Sequence, residues 1–208
     1  MSTKPKLKKR TKKKSIYPKV IRDITLGDSM EGEIKLPIHG YCQTDWYRCG
    51  VSAGWSVLKY FRPHADFRRF EKRCRPDPTT GTDKCHLQQA LRNQGVRTTT
   101  KHITFKTIKQ SIDDGKPILM SIYTGNHTYH WIVIYGYKEK PKTVFIIGRT
   151  IPGFSKKAFP WKKLRKLDND VLPLIASGGV RRSATGKSNA RGSSSRQGPG
   201  EPPSDPTI

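Results

Sequence analysis

Tyr41-Cys42-Gln43-Thr44-Asp45-Trp46-Tyr47-Arg48-Cys49-Gly50 runs unbroken into Val51-Ser52-Ala53-Gly54-Trp55-Ser56-Val57-Leu58-Lys59-Tyr60-Phe61, and the reading of this stretch decides the fold. In its second half Val51, Trp55 and Leu58 recur at helical spacing, while Ala53, Val57 and Phe61 widen the stripe. So broad an apolar face belongs to a buried helix. Arg62-Pro63 ends it, because proline disfavours helical backbone at the residue before it. Gly54 costs up to about 1 kcal/mol against alanine inside a helix, so close packing against a neighbour is its expected reason. Cys49 thus opens a buried helix, where unsatisfied N–H groups and the helix dipole favour a thiolate, the reactive form of cysteine.

Working outward, residues 62–85 are polar and rich in Pro, Gly and Arg, and read largely as loop. A helical pattern returns over Leu87–Gln94 and stops at Gly95, a good C-terminal cap. Val96–Thr100 suits a short strand. A second helix is expected over Phe105–Asp113, with Ile108 and Ile112 four apart and Gly115 behind it. Pro117–Tyr123 is a continuous apolar run of the kind found in buried strands, and Gly125-Asn126 turns the chain. His130-Trp131-Ile132-Val133-Ile134-Tyr135-Gly136-Tyr137 is a second such run with one polar residue at its mouth. Lys138–Lys142 makes a turn and Thr143–Ile147 returns as its hairpin partner. Trp161 and Leu164 suggest a last short helix. Upstream, Ile16–Pro37 fits either short strands or ordered loop. Helices first and an antiparallel sheet afterwards point to an α+β fold.

His130 heads a buried strand, which would place its side chain rigidly at a sheet edge beside Cys49. An imidazole there lowers a thiol pKa and holds an ion pair. Gln43, six residues before Cys49, is a neutral donor able to aim its amide at a developing oxyanion, together with the Cys49 backbone N–H. Each residue alone says little; their joint occurrence, each on a suitable element, carries the reading.

The run Gln43-x5-Cys49-Gly50 entering a helix, followed by His130-Trp131-Ile132-Val133-Ile134-Tyr135-Gly136, resembles the papain-like cysteine peptidase clan. Within it the similarity is greatest to the bacteriocin-leader (double-glycine) peptidase family and its stand-alone relatives. Gly81-Thr82 with Leu87–Val96 resembles that family's middle helix, and Ile108 through Ile122 its approach to the histidine. The resemblance covers about residues 35–150. It implies a papain-like fold, with the cysteine helix packed on an antiparallel sheet that bears the histidine. It also implies Cys49 as nucleophile, His130 as base and Gln43 as oxyanion donor. The family places an Asp, or other papain-like enzymes an Asn, near the end of the strand after the histidine; here that neighbourhood reads Ile146-Ile147-Gly148-Arg149-Thr150. Loss of such an orienting group costs about 10⁴ in serine proteases, and a Cys–His pair depends on it less. Asn126, Asp45 and Asp168 are the substitutes to look for. A papain-like domain kept as a peptide-binding module without turnover is the rival reading.

The ends differ from the middle. The first 14 residues hold eight Lys or Arg and no acid, and the last 32, from Ser177, are mostly Ser, Gly, Pro and Arg. Neither can bury enough surface to offset the entropy of ordering, so both are expected to be disordered around a folded domain at 15–176. The net charge is +25, and the basic arm should attract nucleic acid or other polyanions nonspecifically, in a salt-dependent way. No stretch approaches the ~20 apolar residues of a membrane helix, and no apolar run of a signal peptide follows the basic start. A cytoplasmic monomer acting on a peptide or protein substrate is expected. Four cysteines are too few for a disulfide scaffold of this length. Cys74, Cys85 and His86 lack the paired spacing of a zinc site, a Cys74–Cys85 contact or disulfide being the other reading, and no cofactor is expected.

Overall fold

A computed structural model describes residues 20–21, 32–43, 45–125, 128–149, 154–168 and 171–178. The basic arm at 1–14, Ile24, Asn126, Thr150 and the tail beyond Gly178 lie outside the described residues. Helix α1, Cys49–Phe61, starts at the cysteine and stops where the proline forbids it to go on. Its burial exceeds a stripe: every residue from Cys49 to Leu58 is buried. That is the signature of a helix covered on all sides.

Two helices supply the cover. The stretch expected to be largely loop contains α2, Phe67–Cys74, whose buried residues are Phe67, Phe70 and Cys74. Asp66 caps it by accepting from the Arg69 N–H at 3.3 Å. Helix α3, Lys84–Arg92, is capped by Asp83, which accepts from the N–H groups of Cys85 and His86. Gly54 earns its place here: a Cβ would lie 2.5 Å from Leu87 Cδ1 and 2.8 Å from Phe70 Cζ, so only glycine lets α1 approach both helices this closely.

The sheet lies against the other side of α1. Its strands are β2 (Glu33–Lys35), β4 (Val96–Thr100), β5 (Ile118–Tyr123), β6 (Tyr129–Lys138), β7 (Thr143–Arg149), β8 (Phe154–Pro160) and β9 (Leu174–Gly178). The order is β4-β9-β5-β6-β7-β8, and β2 pairs with the far end of β6. All these pairings are antiparallel. Strand β9 runs to Gly178 between β4 and β5, so the position 176 falls inside it. A separate two-stranded pair joins β1 (Val20–Ile21) to β3 (Gly40–Tyr41).

Alternation along β6 sends Trp131, Val133 and Tyr135 into the cluster around α1. Ile132 and Ile134 enter a second cluster on the opposite face, beneath α4 (Phe105–Asp113) and α5 (Trp161–Leu164). A β-bulge between Ile134 and Gly136 shifts the phase, so Tyr137 joins the second cluster and donates from its hydroxyl to Asp113 Oδ1 at 2.7 Å. Two cores of this kind on one sheet are the α+β architecture expected from the sequence.

Candidate active site

Cys49 is 8% exposed, at the first position of α1. Burial pushes its thiol pKa up, and the backbone N–H groups of Trp131, Gly50 and Cys49 pull it down by less, so the net shift is upward. The amides expected at a helix start do point at the sulfur, but desolvation of the charged form outweighs them.

The Trp131 amide reaches the sulfur because β6 and α1 are clamped together. The Trp131 indole Nε1 donates to the Thr82 carbonyl at 2.9 Å, just before α3. A Cβ on Gly50 would lie 2.5 Å from Thr82 Cβ and 2.9 Å from Trp131 Cδ1. The glycine after the cysteine is therefore what lets helix, indole and Thr82 meet. Sequence reasoning passed over Trp131 and Thr82 as parts of the site; the adjacent pairs Cys49-Gly50 and His130-Trp131 were the available signal.

His130 immediately precedes Trp131 near the open end of β6, and pairs with Ile122 of β5. Its Nδ1 is shut off from solvent. Gln43 lines a crevice with Cys49, Ser52, Trp131, Ile147 and Gly148. The crevice measures about 10 Å³, room for roughly one water molecule. The Gln43 amide Nε2 donates to the Trp46 carbonyl at 3.2 Å, which folds the side chain back on its own loop. Arg48 holds that loop: its N–H donates to the Asp45 carbonyl at 3.2 Å, and its guanidinium pairs with Asp45 Oδ2 at 3.0 Å and with Glu71 of α2. The structure thus gathers Cys49, Gln43 and the residue after His130 around one crevice.

The sought third group has three different outcomes. Asp45 is engaged by Arg48, and Asn126 lies outside the described residues. Asp168 forms an isolated antiparallel bridge with Ile122, whose other partner is His130. Directly paired residues point to one face, yet Ile122 stands between the two and about 10 Å separates their backbones. The described end of β7 is Ile147-Gly148-Arg149, without a carboxylate or amide. All four cysteines are free thiols, so Cys74, fully buried, and Cys85, exposed, are not bridged. Among the described residues no group of His, Cys, Asp or Glu is arranged to hold a metal.

Exposed aromatic residues stand close in sequence to both Cys49 and His130. Tyr129, one residue before His130, is 56% exposed, and its ring lies 5.4 Å from that of Tyr123 on β5. Trp46, three residues before Cys49, is 60% exposed.

A helix that begins with cysteine, packed on an antiparallel sheet whose central strand carries a histidine near its start, defines the papain-like cysteine peptidase class. Within that class, residues 35–148 match the model of the Peptidase_C39-like family, and the chain belongs to it. Two solved structures show the same fold. One is a double-glycine-motif protease from an AMS/PCAT transporter in complex with the leader peptide; it has a TM-score of 0.54 and 18% identity over 72% of this chain and 96% of that one. The other is the peptidase domain of Streptococcus ComA, a bifunctional ABC transporter of a quorum-sensing pathway; it has a TM-score of 0.55 and 17% identity over 70% of this chain and 98% of that one. No curated protein sequence matches the chain. Among the described residues no helix is long and apolar enough to cross a membrane.

Proposed function

We propose that this chain is a cysteine peptidase that hydrolyses a peptide or isopeptide bond, with Cys49 as nucleophile, His130 as base and Gln43 as oxyanion donor. The observation that carries the reading is the Trp131 N–H aimed at the Cys49 sulfur. His130 is the chain neighbour of Trp131 but shares the β6 phase of Ile132 and Ile134 and pairs with Ile122 of the second cluster, so in this reading its imidazole reaches the sulfur around the open end of the strand. Transfer of the thiol proton to His130 gives a thiolate–imidazolium pair, which offsets the desolvation that otherwise keeps the thiol neutral. The thiolate attacks the scissile carbonyl carbon while His130 returns the proton to the leaving amine. Water, deprotonated by the same imidazole, then cleaves the thioester and frees the carboxylate product. Gln43 exchanges its Trp46 carbonyl for the oxyanion, alongside the Cys49 N–H.

A leader peptide bound to one structural relative favours a peptide as substrate, and the exposed rings of Trp46, Tyr123 and Tyr129 would suit apolar side chains on it. Four free thiols suit a reducing compartment such as the cytoplasm.

One specific pair of observations favours the second reading, a peptide-binding domain without turnover. Burial raises the Cys49 thiol, and the described end of β7 offers no group to orient the histidine. An unbiased library of internally quenched peptides separates the two. Cleavage by the wild type and none by Cys49→Ala is expected; intact peptides with retained binding would establish the silent domain instead.

A further inference from the structure

Lys156-Lys157-Ala158-Phe159-Pro160-Trp161-Lys162-Lys163-Leu164-Arg165-Lys166 holds six cations, two aromatic residues and no acid, and lines no part of the catalytic crevice. It spans the end of β8, α5 and the following 3₁₀ turn, Arg165–Leu167. Leu164 is fully buried in the core beneath α4 and α5, whereas Lys162, Lys163, Arg165 and Lys166 are exposed. One buried leucine therefore anchors a turn that presents four cations.

Other elements extend this face. The Trp161 N–H donates to the Lys142 carbonyl at 3.0 Å, which ties α5 to the β6–β7 hairpin. The Lys142 ammonium lies 5.7 Å from the Phe105 ring centroid, and that ring lies 6.3 Å from Trp161. Lys106, exposed, follows Phe105 on α4. The carboxylates of α4 and the hairpin are already engaged: Glu139 with Lys109, Asp114 with Lys116 at 2.9 Å, and Asp113 with the Tyr137 hydroxyl. The partly buried Phe105 and Trp161 rings thus sit among cations that outnumber the carboxylates of these elements, Asp113 and the Asp168 that follows the turn included.

We infer that this face, on the side of the sheet away from Cys49, binds single-stranded nucleic acid. Phosphates would lie on the lysines and bases against the Trp161 and Phe105 rings, the combination of charge and stacking surface that such strands use. A membrane is disfavoured because an interfacial face inserts fully exposed apolar side chains, whereas a stacked base needs only the accessible part of a partly buried ring. Among the described residues the exposed large apolar ones are Ile34, Trp46, Tyr123 and Tyr129, none of them on α4, α5 or the hairpin turn. Helix α2 is the contrast: Arg68, Lys72 and Arg73 are exposed, but its Phe67 and Phe70 are buried and offer no ring.

The test uses the full chain and a fluorescein-labelled oligothymidylate of about 20 nucleotides, titrated by anisotropy across a salt series. The triple variant Lys142→Glu, Lys163→Glu, Lys166→Glu should bind at least about 30-fold more weakly at 150 mM salt. Its log–log salt slope should be shallower by about 2, as expected for three lost contacts to a single strand. Arg68→Glu, Lys72→Glu, Arg73→Glu changes the net charge equally and should cost less than about fivefold, since its contribution is long-range only. The basic arm is present in every variant, and thermal melting checks that each folds. Equal losses in both triples would overturn the inference in favour of net charge, and no loss in either would assign all binding to the arm. Co-sedimentation with phosphatidylserine vesicles that only the first triple loses, at unchanged oligonucleotide affinity, would also overturn it by making this a membrane surface.

Discussion

On one face of the sheet α1 is buried from Cys49 to Leu58, with Ser52 and Ser56 inside and glycines at the closest approaches. On the other, α4 and α5 press Ile108, Ile112 and Leu164 onto aliphatic strand residues and turn their charges outward. The second arrangement needs only apolar side chains of suitable volume, which tolerate exchange. The first sets the helix backbone directly against particular side chains: Gly50 against Thr82 and Trp131, Gly54 against Leu87 and Phe70. A cysteine, an amide and a histidine need a fixed mutual geometry, and the tight packing lies on the face where that geometry is set.

The largest expected effect tests the chemistry of the α1 face directly. Cys49→Ala should lower hydrolysis by at least about 10⁴-fold in a quenched-peptide assay, since activated nucleophiles act as a unit with their base, while the melting temperature stays near that of the wild type. Gln43→Ala should lower turnover by about 10²–10³ with the fold intact; turnover near wild type would remove its oxyanion role.

The next effects concern packing. Gly54→Ala should destabilise by about 1–3 kcal/mol in urea unfolding, because overpacking outweighs the better helix propensity of alanine. It should also reduce hydrolysis by tilting α1. Ile112→Val on the other face should cost about 0.5–1.5 kcal/mol and leave hydrolysis unchanged. If both variants affect activity alike, the two faces do not differ in the way the packing suggests.

A smaller effect appears with pH. Burial raises the thiol of Cys74 above its ordinary value of 9.0, and Cys74 belongs to the α1 cluster. The folded chain therefore keeps a proton that the unfolded chain releases, so this stability is complete below pH 9 and falls as pH rises above it. This thiol contributes a slope of up to about 1.4 kcal/mol per pH unit. Cys74→Ala should flatten the decline between pH 9 and 10 by that amount, measured by urea unfolding; an unchanged slope would contradict the burial of that thiol.

The sequence was most legible where local pattern and tertiary need agreed. The helix after Cys49 with the Arg62-Pro63 that ends it, the Phe105–Asp113 helix and the two apolar strands could be read from spacing alone, as could Gly95 and Gly115 behind α3 and α4. Helix α2 escaped because Phe67, Phe70 and Cys74 are outnumbered by the Arg and Lys between them; the cap at Asp66 was its one readable sign. Strand β9 escaped because Leu174–Gly178 gains its pairing from β4 and β5, some fifty to eighty residues earlier. In the site, Cys49 and Gln43 could be found from their spacing to the helix start. The Trp131–Thr82 clamp could not, since it joins residues 49 apart whose types suggest no pairing. Nor could the balance at the sulfur, because helix position argues for a thiolate and only the packed structure shows how strongly burial opposes it.

That balance makes one measurement decisive: the rate of Cys49 alkylation by iodoacetamide against pH, followed by mass spectrometry in the wild type and in His130→Ala. The ion-pair account predicts a reactive thiolate well below pH 8.5 in the wild type, and its loss to above the ordinary thiol value when His130 is removed. A Cys49 that titrates like a buried thiol in both proteins, indifferent to His130, would contradict it.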